Sequence, residues 1–197
     1  MSTGHKPSPA AADLVAKLNG NHHRAALNLF MFIVLAHWAE HVIQAIQIWG
    51  LGWSRSDALG LLGVPFPWLV SSESLHYGYA LVMLLGLWVL RHGFVGRGRK
   101  WWMASFWIQA WHHVEHLVLL TQAVIGANLL GRAAPSSIVQ VLVPRVELHL
   151  LYNAMVFVPM VIAMYIHLRP SQTEYEHTSC SCHGRTMMLP AKTLVGR

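Results

Sequence analysis

The sequence predicts an all-α integral membrane fold, a four-transmembrane-helix bundle built from a tandem two-helix duplication. Three observations predict it: a membrane-like composition, four apolar runs of spanning length, and two motifs that recur in order. Of the 197 residues, 54% are hydrophobic and only 11% are charged, against roughly 25% charged in soluble domains. Each run holds about 20 residues, enough to cross a hydrocarbon core about 30 Å thick.

The expected spans cover residues 24–49, 71–90, 101–125 and 138–168. In the last, Pro144 marks the true start, and 138–143 is expected to be an interfacial stub, because the whole stretch exceeds the membrane thickness. Residues 1–23 are read as an N-terminal segment, 24–168 as the transmembrane domain (repeats at about 24–90 and 101–168), and 169–197 as a polar tail. The N-terminal segment, with Lys6, Pro7, Pro9 and Lys17, is too polar for the apolar core of a cleaved signal peptide.

Orientation follows from basic residues, since short loops rich in Lys and Arg stay cytoplasmic. Lys6, Lys17 and Arg24 precede the first span, and Arg91, Arg97, Arg99 and Lys100 fill the central loop. Arg169, Arg185, Lys192 and Arg197 follow the fourth. The other two loops carry only Arg55 and Arg132. A multi-pass protein with both termini cytoplasmic satisfies every loop. The net charge of +6 thereby reports topology and a bilayer partner, and nucleic acid is not an expected partner. Trp49, Trp53, Trp68, Trp101 and Trp102 fall at span ends, where indole is favoured. Trp38, Trp107 and Trp111 lie deeper and are assigned to packing.

The duplication is read from two alignments. "HWAEHVIQAIQ" from His37 matches "HHVEHLVLLTQ" from His112 at an offset of 75, pairing Glu40 with Glu115, His41 with His116 and Gln47 with Gln122. "LHYGYALVM" from Leu75 matches "LHLLYNAMVF" from Leu148 at an offset of 73, pairing His76 with His149 and Tyr79 with Tyr152. Two ordered matches at nearly equal offsets imply a parallel repeat, with any site on its axis built twice.

Within HxxEH, positions i, i+3 and i+4 share a helix face, so His37, Glu40 and His41 form one group and His112, Glu115 and His116 another. Glu73 and His76 are one turn apart; Glu147 and His149 are not, and Glu147 is expected to pair with Arg145 instead. An ionisable residue inside a span is costly and points to function. The expected metal-binding residues are therefore His37, Glu40, His41, Glu73, His76, His112, Glu115, His116, Glu147 and His149, supported by Arg145, Tyr79, Tyr152 and Asn153.

Imidazoles combined with carboxylates suit transition metals, iron first, with zinc, copper and manganese also suited. The leading expectation is a dinuclear membrane metalloprotein, an oxidoreductase on a lipid or quinone-like substrate. A proton or ion transporter using the same residues as a relay is one alternative; a b-type haem protein is another. No nucleotide motif, Ser–His–Asp arrangement or large soluble catalytic domain is visible.

His113 and His167 are read as interhelical hydrogen-bond partners. His5, His22, His23, His92, His177 and His183 receive no role. Cys180, Cys182 and His183 in "CSCHG" are expected to carry free thiols in a reducing tail, with soft-metal capture as the alternative, although the spacing lacks the second half of a zinc site.

Overall fold

The computed structural model describes residues 9–178 and 180–183. Lys6, Arg185, Lys192 and Arg197, used above to argue orientation, lie outside the described residues, as do Pro7 and His5. The described chain is helical throughout and contains no strand. Helix α1 runs Pro9–Asn19 and α2 runs His23–Ala45, prolonged by a π-helical turn over Ile46–Gly50. Two short helices follow, α3 (Gly60–Gly63) and α4 (Trp68–Ser71). The remaining long helices are α5 (Glu73–Leu90), α6 (Gly96–Ile125) and α7 (Arg145–Leu168), and the short α8 (Gln172–Glu176) is followed by a 3-10 turn over Ser181–His183.

The helix ends obey local chemistry. The hydroxyl of Ser72 accepts the Leu75 N–H at the start of α5, a side-chain N-cap. Gly126, with φ of 68°, ends α6 in the left-handed conformation, where glycine carries no Cβ penalty. Pro144 immediately precedes α7, as its missing N–H and fixed φ allow. Residues 139–141 form a short 3-10 turn ahead of that proline, within the stretch 138–143. Ser171 and Glu174 form a complete capping box on α8.

A single buried apolar cluster draws on all four long helices: Leu27, Phe30 and Val34 from α2, Met83 and Leu87 from α5, Trp102 and Phe106 from α6, and Val156, Met160 and Ala163 from α7. Polar side chains of α6 tie the layers together. Trp102 donates its indole N–H to Leu87 O at 2.7 Å, Ser105 donates to Val156 O at 2.9 Å, and Gln109 donates to Ala80 O at 3.1 Å. The Ser105 bond falls next to Pro159, which cannot donate within α7 and so loosens its hydrogen-bond ladder there.

The apolar surface is turned outward. Leu29, Phe32, Val82, Leu85, Trp88, Trp107, Val158 and Val161 are all exposed, an apolar surface of the kind that meets a membrane or another protein. Three helices are long and apolar enough to cross a membrane: His23–Gly50, Glu73–Gly93 and Arg145–Leu168. The third expected span, in α6, is not among them, although at 30 residues it is the longest helix. Its averaged hydropathy is lowered by basic residues at its start and by Ser105, Gln109, His112, Glu115, His116 and Gln122, all of them buried inside the protein.

Candidate metal centre

Six histidines from the four long helices meet in one layer. His37 and His41 lie one turn apart on α2, His112 and His116 one turn apart on α6, with His76 on α5 and His149 on α7. The Nε2 atoms of His37 and His41 are 3.1 Å apart, and those of His112 and His116 are also 3.1 Å apart. His149 occupies the middle. Its ring centroid is 5.3 Å from His41, 5.5 Å from His112, 5.2 Å from His116 and 6.1 Å from His76. One ring nitrogen from each of His112, His116 and His149 falls within 4.8 Å of the others, and all three residues are buried.

Outer hydrogen bonds fix which nitrogen faces inward. His41 Nδ1 meets the Gln44 side-chain oxygen at 2.7 Å, His76 Nδ1 meets Ser72 O at 2.9 Å, and His149 Nδ1 meets Arg145 O at 2.8 Å. An oxygen acceptor requires the proton on Nδ1, which leaves the Nε2 lone pair free to coordinate. His149 Nε2, His112 Nδ1 and His116 Nδ1 are buried with no hydrogen-bond partner. An orphaned imidazole nitrogen inside an apolar bundle is costly; an ion held by Nε2 atoms would remove that cost at His149, while the orphaned Nδ1 atoms of His112 and His116 are not the atoms of their Nε2–Nε2 contact. Two imidazoles bound to one tetrahedral ion at 2.0–2.1 Å have nitrogens about 3.3 to 3.4 Å apart, within a few tenths of an ångström of the 3.1 Å in both one-turn pairs.

The expected carboxylate ligands each have a partner of another kind, while one oxygen of Glu115 and one of Glu147 are buried without a hydrogen bond. Glu40 accepts the N–H groups of Leu61 and Leu62 at the start of α3, at 2.7 and 3.1 Å. Glu115, 2% exposed, accepts Val139 N–H at 3.1 Å and keeps its other oxygen unpartnered. Glu73 receives both terminal nitrogens of Arg145. Glu147 does not pair with Arg145 as expected; Arg55 of the first loop holds it at 2.6 and 3.1 Å. The reason lies in the two loops, 51–72 and 127–144, which fold back onto the helix ends and bring donors that α-helical spacing alone does not reveal.

The tyrosines expected behind the histidines lie against them. Tyr79 stacks on His37 at 3.6 Å between ring centroids, and Tyr152 packs on His112 at 4.5 Å. Tyr152 also accepts the Trp111 indole N–H at 2.8 Å. Asn153 donates to the His149 backbone carbonyl at 2.8 Å, so its side chain is bonded within its own helix.

Several contacts occur twice. Gln47 clamps Gly60 through its N–H and C=O, at 2.8 and 3.2 Å, and Gln122 clamps Ser136 in the same way at 3.2 and 2.8 Å. Glu40 and Glu115 both accept backbone N–H groups from the loop that follows. His76 and His149 both bond the carbonyl four residues earlier. At the first clamp Gly60 has φ of 80°, and a Cβ there would collide with the Glu40 carboxylate. Sequence spacing flagged Gln47 and Gln122 as a matched pair without revealing this clamp. Gln44 and Arg55 carried no such signal.

Two cavities reach the layer. One, of about 210 Å³, opens among Arg55, Arg145, His41, His76 and His149. The other, of about 410 Å³, is apolar and runs past Phe32, Leu62, Leu69 and Leu75 to His37 and His76. Beyond this geometry no precedent applies: no family model, curated protein or solved structure matches the chain.

Proposed function

We propose that the protein is a four-span membrane metalloprotein whose histidine layer holds two transition-metal ions and performs redox chemistry on an apolar substrate admitted from the bilayer. The observation that carries this reading is the convergence of six imidazoles from four helices, three with the outward nitrogen tied to an oxygen. The doubled contacts support a tandem duplication, and with it one ion for each HxxxH pair, His37 with His41 and His112 with His116.

With Glu40 held by N–H groups and Glu73 by a guanidinium, the inner donor set is mainly imidazole, and the free Glu115 oxygen is the carboxylate donor left to it. Among redox ions that set suits copper and iron. When bound, such ions supply one-electron chemistry or oxygen activation. The chain's part is to fix the rings, keep the centre dry and bring substrate to its edge. The apolar cavity ends on His37, His41, His76 and Tyr79, so a lipid or quinone-like molecule entering from the side reaches the rings without crossing water. Haem fits less well, since ring centroids 4.5 to 6.1 Å apart leave no slot for a macrocycle between facing imidazoles.

The topology belongs to the same reading. α6 crosses as the third span, its polar side chains turned inward and Trp107, Trp111 and Leu117 turned outward. Both termini then lie on the cytoplasmic side with the basic loops. The test is elemental analysis of detergent-purified protein carrying no polyhistidine tag, alongside an absorption spectrum. Two non-haem transition ions per chain are expected. A metal-free protein that conducts protons in vesicles would assign the layer to a relay, and a Soret band would assign it to haem.

A further inference from the structure

The end of the molecule remote from the histidine layer carries a second group of metal-type donors. His23 opens α2, His167 lies in the last turn of α7, and Cys180, Cys182 and His183 come from the segment after α8. His167 is 18 residues along α7 from His149, about 27 Å at 1.5 Å per residue. The spacing of Cys180, Cys182 and His183 alone offers only half a metal site, His23 carries no sequence signal, and His167 reads as a hydrogen-bond partner. The fold brings all three to the cysteines.

The segment is fastened in place. Ser181 N–H donates to Gly20 O at 3.0 Å, and Arg24 N–H donates to the Ser181 hydroxyl at 3.2 Å. Cys180 is buried at 2% exposure and His23 at 0%. Cys180 Sγ lies 3.3 Å from His167 Nε2 and 3.6 Å from His183 Nδ1. A tetrahedral ion with metal–sulfur bonds of about 2.3 Å and metal–nitrogen bonds of about 2.0 to 2.1 Å has sulfur–nitrogen edges of about 3.6 Å. Donor atoms of His23, His167 and Cys182 also lie within 4.8 Å of one another, as do those of His167, Cys180 and His183. His167 is common to both sets.

Tautomers are fixed here as in the other layer. His23 Nδ1 meets Leu18 O at 3.1 Å, and His183 Nε2 meets His167 O at 2.6 Å. The lone pairs are therefore left on His23 Nε2 and His183 Nδ1. His23 Nε2 is buried and has no hydrogen-bond partner. Gly93 leaves the space this ring fills, since a Cβ there would overlap it. Phe94 flanks both His23 and His167, with ring centroids 5.6 and 4.7 Å away, so buried His23, His167 and Cys180 share an apolar wall, with Cys182 and His183 at its half-buried rim.

We infer that Cys180, Cys182, His167 and one of His23 and His183 bind a single thiophilic d¹⁰ ion, Zn²⁺ or Cu⁺, fastening the C-terminal segment to the α1–α2 corner. Thiolate with imidazole is the donor set such ions favour. No oxidation is involved: each coordinating thiol gives up its proton to solvent as its metal–sulfur bond forms.

The chain has only two cysteines, so a metal–sulfur signal reports this site whatever the histidine layer holds. Full-length reduced protein titrated with Co²⁺ is expected to show sulfur-to-cobalt charge transfer in the near ultraviolet and tetrahedral bands in the visible. Both should vanish in Cys180→Ser/Cys182→Ser and persist in His37→Ala/His112→Ala. Competition with Zn²⁺ and, separately, with Cu⁺ under reducing conditions identifies the ion by which displaces cobalt at the lower free concentration. A second measurement needs no variant: Zn²⁺ or Cu⁺ should slow alkylation of both thiols at least tenfold in the wild-type protein. Absence of the charge-transfer band, or alkylation at an unchanged rate with either ion, overturns the inference.

Discussion

Arg145 of α7 grips Glu73 of α5 through two hydrogen bonds, of 2.5 and 2.9 Å, and this pair stands outside the doubled contacts. At the offset of 73, Arg145 corresponds to Ser72 and Glu73 to Val146, so the aligned positions cannot make it a second time. It joins α5 to α7 at the edge of the histidine layer, where Arg145 also supplies the carbonyl that orients His149.

A double-mutant cycle on Arg145→Met and Glu73→Gln is expected to show a coupling of about 1 to 3 kcal/mol, the range for residues in direct contact. The same cycle with Glu147→Gln in place of Glu73→Gln should be additive within about 0.5 kcal/mol, because Arg55 holds Glu147. Thermal or denaturant unfolding in one detergent measures both. Strong coupling to Glu147 instead would refute the observed pairing.

The proposed metal layer can be tested without touching a ligand. Gln44 is buried, and its side-chain oxygen holds His41 Nδ1. Gln44→Leu removes that acceptor and is expected to weaken metal binding about 10- to 100-fold, as loss of an orienting partner does. The measurement is metal affinity by competition with a chelator. An unchanged affinity would leave His41 outside the coordination set.

Gly60→Ala should destabilise the fold by at least about 1 kcal/mol, since alanine resists positive φ and its methyl would displace Glu40. Gly52→Ala supplies the comparison, because Gly52 has φ of 71° and open space around it. A larger loss at Gly60 than at Gly52, read from unfolding midpoints, isolates the steric part. Equal losses would show that backbone conformation accounts for the whole effect.

Attachment of α8 should depend on pH. Hydrogen bonds to Glu174 from the Ser171 backbone, then from the backbone and side chain of Arg97, lower its carboxyl from an ordinary 4.5 to about 2. The folded value lies below the unfolded one, so the stabilisation is complete above about pH 4.5 and is lost as pH falls through about 2. Hydrogen exchange of the 171–178 amides between pH 6 and pH 2, corrected for intrinsic rates, should show protection declining across that window. Glu174→Gln should flatten the profile.

Much of the helical layout was legible because its signals are local. Apolar run length, the proline before α7 and the recurrence of His and Tyr at offsets of 75 and 73 each need only a few consecutive residues. The partners of the glutamates were hidden because they are loop backbone groups or distant side chains, as with Arg55 and Glu147, 92 positions apart. The Cys180–His167 contact was hidden for the same reason. α6 shows a subtler limit. Averaging along it mixes an inward polar stripe with an outward apolar one, and the average describes neither face.

That division of faces bears on how the protein is made. On the four-span reading, a helix carrying Gln109, His112, Glu115, His116 and Gln122 gains little by entering lipid alone, since each buried polar or ionisable group costs free energy until a partner covers it. α5, which directly precedes α6 in the chain, and α7, which follows, supply carbonyl acceptors to Gln109 and Ser105. α6 is therefore expected to leave the insertion machinery together with α5 as a helical hairpin, and to become fully settled only once α7 has been synthesised. A nascent chain truncated before α7 should be held at that machinery longer than one truncated after it.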